Sequence, residues 1–315
     1  MSKRKSSKKT SKPAVKSKTP EAAQIMDVSE IEGIGKKYAR ALYRAGIKST
    51  EDLRKNSLVE IVEATNLSPK RVYRWQCIAD LFRVRRAAQE WTELLYEIGI
   101  ETVKELSKQN AKDLHAKIER MHKVLKRKPG WRGDVKKIPS LSDVQKMIDS
   151  AKELIAAGKD ETEKDVKDRI KVTSKTPAKG QISDIINIEG IGKEIAKTLN
   201  EVGIENTEQL RKAPLVELVE VTGLSPKRLY KWICMADLFR VEGVDEEYSD
   251  LLFFAGIDTV KELSRQRIAD LTRRIRRAAL KAKEKGGWAG DVKKIPGETT
   301  IRKWIKSAKE LVKKT

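Results

Sequence analysis

Apolar residues recur along this chain at helical spacing. Tyr38, Leu42 and Ala45 share one face, as do Leu58, Ile61 and Val62, and then Val72, Trp75, Ile78, Ala79 and Phe82. Recurrence every three or four residues predicts amphipathic helices that each turn one stripe toward a core. No stretch alternates as a half-buried strand would, so the chain is expected to be all-α. Ser68-Pro69 and Ser225-Pro226 mark helix starts, a capping hydroxyl followed by proline at the first helical position. Gly46, Gly99, Gly203 and Gly256, each followed by Ile, mark helix ends closed by a left-handed residue with a hydrophobic contact behind it.

The pattern is written twice. IEGIGKKYARALYRAGI at 31–47 returns 157 positions later as IEGIGKEIAKTLNEVGI, and the register holds through LSPKR (67–71 and 224–228), ADLFRV (79–84 and 236–241), GDVKKIP (133–139 and 290–296) and SAKEL (150–154 and 307–311). The repeat divides the chain into two modules, 27–157 and 184–315. A charged linker is expected at 158–183, helical in part near 166–170, and a disordered basic tail at 1–26, whose Lys, Ser, Thr and Pro content cannot offset the entropy of ordering. Each module is itself read as two related halves. VEGVDEEYSDLLFFAGI at 241–257 aligns with 31–47 without a gap, and the helix carrying Ile301, Trp304 and Ala308 matches the one carrying Val72, Trp75 and Ala79.

With 315 residues the chain has room for two domains, each burying its own core. Its longest apolar stretch, 251–255, is far short of the roughly 20 residues of a membrane span. The first residues lack the apolar segment of a secretion signal. An intracellular protein, cytoplasmic or nucleoid-associated and without a membrane partner, is expected. Cys77 and Cys234 occupy equivalent helical positions beside Ile78 and Met235 and are read as small core residues. The formal charge of +22 is concentrated. Residues 1–26 hold eight Lys/Arg against one Glu, 116–137 nine basic against two acidic, and 273–294 again nine against two, so each stretch carries +7. Three basic patches on an otherwise balanced chain point toward a polyanion.

Three groups of residues are candidates for contact with it. The first is Gly33, Gly35, Lys36 and Lys37, with Gly190, Gly192 and Lys193 as their twins. Glycines at both hairpin corners permit backbone angles closed to other residues and let a foreign backbone approach. The amides that open the next helix attract an anion, and the lysines add charge beside it. A hairpin that merely packs helices is the competing reading. The later copy at 241–257 carries Asp245, Glu246 and Glu247 where the early copies carry glycine and lysine, so the fold can use the hairpin as structure alone. The second group is Ser68, Lys70 and Arg71 with Ser225, Lys227 and Arg228, a helix N-terminus suited to a phosphate of the other strand; a plain helix cap with solvated charges is the alternative. The third is the basic insert, represented by Lys126, Arg127 and Lys128 in module 1 and by Arg273, Arg274, Arg276 and Arg277 in module 2. Trp131 and Trp288 at its tips could stack on bases but are read as loop anchors.

His115 and His122 correspond to Thr272 and Ala279, so no metal site is expected. No Ser/His/Asp arrangement or Walker loop stands out, and no cofactor, small-molecule substrate or catalytic residue is assigned. A lysine forming a Schiff base with an abasic sugar, hence a repair lyase, is one rival reading.

The GIG hairpins at 33–35 and 190–192, followed by Ala39 and Leu42 or Ala196 and Leu199, resemble the helix-hairpin-helix motif. With the LSPKR turns and the closing pattern from Ile138-Pro139 to Ala151 and Leu154, both modules are similar to a family of small tandem helix-hairpin-helix domains of largely unassigned function. Paired hairpins of that kind in repair proteins grip duplex DNA without reading sequence. The resemblance therefore implies a non-sequence-specific nucleic-acid-binding protein, duplex DNA favoured, with a chromatin or DNA-maintenance role. Glu194 stands where module 1 has Lys37, a departure that implies weaker binding by the second hairpin. An RNA- or ribosome-associated binder and a protein-interaction scaffold are the other rivals, and the oligomeric state is left open.

Overall fold

A computed structural model describes residues 25–85, 87, 89–125, 138–175, 180–284 and 295–313. Among the described residues the chain forms sixteen α-helices and two 3-10 turns, with no strand. It is an all-α protein of two tandem repeats. The first half of module 1 holds the 3-10 turn Val28–Glu30, α1 (Lys36–Arg44), α2 (Thr50–Lys55), α3 (Leu58–Thr65) and α4 (Pro69–Leu81). Its second half holds α5 (Gln89–Glu97), α6 (Val103–Ser107), α7 (Ala111–Leu125) and α8 (Leu141–Lys175). Module 2 repeats the order with the turn Ile185–Asn187, α9 (Lys193–Glu201), α10 (Thr207–Lys212), α11 (Leu215–Thr222) and α12 (Pro226–Leu238), then α13 (Glu246–Phe254), α14 (Val260–Leu263), α15 (Ile268–Glu284) and α16 (Glu298–Lys313). No helix among the described residues is long and apolar enough to cross a membrane.

The helix ends follow the sequence signals closely. Gly46, Gly99, Gly203 and Gly256 have φ of +81°, +85°, +88° and +77°. The isoleucine after each donates its amide five residues back, Ile47 to Leu42 at 3.0 Å and Ile257 to Leu252 at 2.9 Å, while its side chain is buried. This is the left-handed cap with its hydrophobic contact. Pro69 and Pro226 do open α4 and α12, but Ser68 and Ser225 make no side-chain cap bond, contrary to the expected capping hydroxyl. Proline has no amide to satisfy, and its fixed φ starts the helix unaided.

The proposed older duplication has a structural mark. The indole Nε1 atoms of Trp75, Trp232 and Trp304 stand 3.5, 3.4 and 3.6 Å from where a Cβ would sit on Gly33, Gly190 and Gly243. In each of these three halves a tryptophan of the last helix backs the opening hairpin. Trp304 also donates to the Gly243 carbonyl at 3.0 Å.

The modules do not keep separate cores, as their size alone suggested. Val28 to Phe82 and Ile185 to Phe239 contribute to one shared central core, flanked by a core of module 1 between Leu81 and Ala151 and one of module 2 between Leu238 and Ala308. The stretch expected as a partly helical linker is helical up to residue 175. α8 continues through it to Lys175, Val166 is fully buried in the central core, and Thr162 is buried beside Glu220. Its apolar residues are sparse because the helix lies over charged partners, among them Lys55 at 3.1 Å from Asp165. Cys77 and Cys234 are free and fully buried as expected, and burial pushes both thiols well above the usual range.

Candidate nucleic-acid interface

Ile31 and Ile34 are buried and clamp the first hairpin to the core, with the Ile34 amide bonded to the Ile31 carbonyl at 3.0 Å; Ile188 and Ile191 do the same at 2.9 Å. The chain between these anchors must reverse, and Gly33 and Gly190 supply the turn at φ +87° and +89°. The same reason does not apply to Gly35 and Gly192. Their φ/ψ of −73°/171° and −80°/175° are open to any residue. What distinguishes them is space: a Cβ at either position would meet nothing within 4 Å. Both are exposed N-caps, and having no side chain they supply no oxygen to the first amides of α1 and α9. The degenerate hairpin behaves differently. Asp245 caps α13 with its own carboxylate, accepting the Tyr248 amide at 3.0 Å. A side-chain anion there occupies the place left open in the other two.

Lys36, Lys37 and Lys193 are exposed on the first turns of α1 and α9 and form no ion pair among the described residues. Arg71 joins them from α4: its guanidinium lies 5.0 Å from the Tyr38 ring centre and donates to the Tyr38 hydroxyl. In module 2, where Ile195 replaces Tyr38, Arg228 stacks at 4.8 Å on Trp232 and approaches the Gly190 carbonyl at 3.5 Å. The two candidate hairpins of each module are thus neighbours, linked by an arginine placed over an aromatic ring. Ser68, partly exposed, and Ser225, exposed, lie beside them with hydroxyls not used as caps.

Several of the other expected residues also have partners within the protein. Lys70 and Lys227, although 65% and 69% exposed, lie 3.6 Å from the buried carboxylates of Asp258 and Glu101 in the opposite module. Arg274 is structural: it donates to the Ala255 and Gly256 carbonyls at 2.9 and 2.7 Å, closing the end of α13, and to Gln266 at 3.1 Å. Arg273 pairs with Asp270, while Arg276 and Arg277 are exposed on α15. Lys126, Arg127, Lys128, Trp131 and Trp288 lie outside the described residues, as does the tail up to residue 24.

Two features of the interface are not visible in single motifs. Trp75 and Trp232 support the hairpins from behind, a role signalled only by their recurrence at the shared offset. Carboxyl groups also crowd each hairpin. Burial, and then Glu32 on the hairpin, push the Glu93 carboxyl of α5 up to about 8. Burial and Glu189 likewise raise Glu246.

One family model, described as "Domain of unknown function (DUF4332)", matches residues 24–154 and again 189–311. No curated protein and no solved structure matches the chain.

Proposed function

The chain belongs to the DUF4332 family over both modules, and we propose that it binds nucleic acid, duplex DNA in preference to RNA, along the sugar-phosphate backbone and without reading sequence. A phosphate of one strand sits on the open first turn of α1 and another on that of α9. Lys36, Lys37 and Lys193 add charge to these sites, and Arg71 and Arg228 extend them toward the Ser68 and Ser225 turns. The observation that carries this reading is the pair of exposed, uncapped glycine N-caps with empty space at the missing Cβ, set against the self-capped Asp245 of the degenerate copy. Charge outside the hairpins supports it, since the chain carries +22 in all.

Such binding releases counterions. With about seven phosphates neutralised, log affinity falls against log salt with a slope near −6. Anisotropy titrations of a labelled duplex at several salt concentrations measure that slope, with competition by duplex DNA, structured RNA and single strands fixing the preferred polymer. A flat salt response or no binding overturns the proposal, and a preference for RNA corrects its choice of polymer.

A further inference from the structure

The contact between the modules is reciprocal at several of its charged positions. Arg83 donates to Glu220 at 2.9 Å, and at the shared offset of 157 Arg240 donates to Glu63 at 2.7 Å. Lys70 meets Asp258 at 3.6 Å and Lys227 meets Glu101 at 3.6 Å. Arg265 donates to Asn66, the left-handed cap of α3, and Lys108 stands 3.8 Å from a Cβ placed on Gly223, the equivalent cap of α11. Tyr73 and Tyr230, which are each other's twins, touch directly with ring centres 4.6 Å apart. Equivalent residues that meet one another must lie on an axis of approximate twofold symmetry. A surface whose residue i touches j while j touches i is that of a twofold homodimer. Beside these charged pairs the contact has apolar residues of both first halves, which share one core.

We infer that this contact is a self-complementary docking surface, and that between molecules its partner is a second copy of this chain, module 1 of each copy seated on module 2 of the other. The exchanged assembly keeps the contacts between the modules described above, so effective concentration sets the balance between the two. A short flexible connection sets an effective concentration on the order of 1 mM, which serves as the reference value. Refolding at about 0.1 mM therefore yields roughly one exchanged dimer for every ten monomers, and at about 1 μM roughly one per thousand. This inference does not depend on the nucleic-acid proposal.

The test uses the full wild-type chain. Tagged and untagged copies are unfolded together in denaturant and refolded at a series of concentrations. Mixed dimers are then scored by capture on the tag and by light scattering for a doubled mass. Expected is a mixed dimer that appears only after co-unfolding, rises with concentration, melts like the monomer and survives dilution, because separating it requires unfolding the central core. Absence of mixed dimer up to about 1 mM overturns the inference. So does a dimer that forms on mixing folded chains and falls apart on dilution, which would use some other surface.

Discussion

The substitution pair Gly35→Asp/Gly192→Asp drives stability and affinity in opposite directions. Both positions have ordinary extended backbone angles and no atom within 4 Å of the new Cβ, so the side chain enters without strain. It then does what Asp245 already does at the third hairpin, accepting an amide of its own helix. Aspartate gains a few tenths of a kcal/mol over glycine as an N-cap. Its charge at the positive end of the helix dipole adds about 0.3–1 kcal/mol per helix. The doubly substituted protein should melt at the same temperature as the parent or a few degrees higher.

Binding should suffer, because each carboxylate takes the amides a phosphate needs and repels it. Charge-assisted hydrogen bonds contribute about 1.5–3 kcal/mol each. Losing one such interaction at each of two sites weakens affinity by about 10²–10⁴-fold, and the salt slope shrinks by about two. Thermal melts by circular dichroism and anisotropy with a labelled duplex read the two quantities on the same samples. Affinity within about threefold of the parent, with melting intact, would show that the hairpins do not bind. Loss of both together would contradict the open geometry of the caps.

Arg83→Ala leaves Glu220 buried beside Arg54 and frees Asp80 from its 2.8 Å bond, so urea denaturation should register a loss of about 3–5 kcal/mol; a cost under about 1 kcal/mol would mean that the reciprocal ion pairs do not hold the modules together. Glu93 carries a carboxyl raised to about 8 by burial and by Glu32, so it binds its proton more tightly folded than unfolded. Its contribution is complete below about pH 4.5 and is lost as pH rises toward 8. Urea midpoints of the parent should fall between pH 5 and 8.5 relative to those of Glu93→Gln, and parallel curves would remove Glu93 as the cause.

Where local chemistry decides the structure, residues announce it. Gly46-Ile47 and its three counterparts specify a left-handed cap and a buried contact within a few positions, and the helices end there. Pro69 and Pro226 open helices for an equally local reason. The hairpins are legible too, except that Gly35 and Gly192 have extended angles open to any residue and open space at the missing Cβ, so the fold itself does not require glycine there. Contacts across the twofold are illegible by the same logic. Lys70 reads as a solvated cation until Asp258 is brought beside it, and Arg274 as a basic-patch residue until the end of α13 arrives. A polar stretch such as 158–175 reads as a linker because its partners, Lys55 and Glu220, are charged and remote in sequence.

A duplicated sequence is compatible both with independent beads and with a fused pair, and apolar periodicity cannot separate them because either arrangement buries the same stripes. Charge can. Arg83 and Arg240 sit in the same ADLFRV context, each three residues from an aspartate that takes one bond of its guanidinium and also receives a backbone amide, Val103 or Val260. An arginine less than a tenth exposed needs more than one such acceptor. Glu63 and Glu220 also recur at the shared offset, and each meets the arginine of the opposite copy. Retention of both members in both copies is what a twofold contact demands, since altering either residue in one module leaves a buried charge in the other. Independent beads place no such joint demand on those four residues.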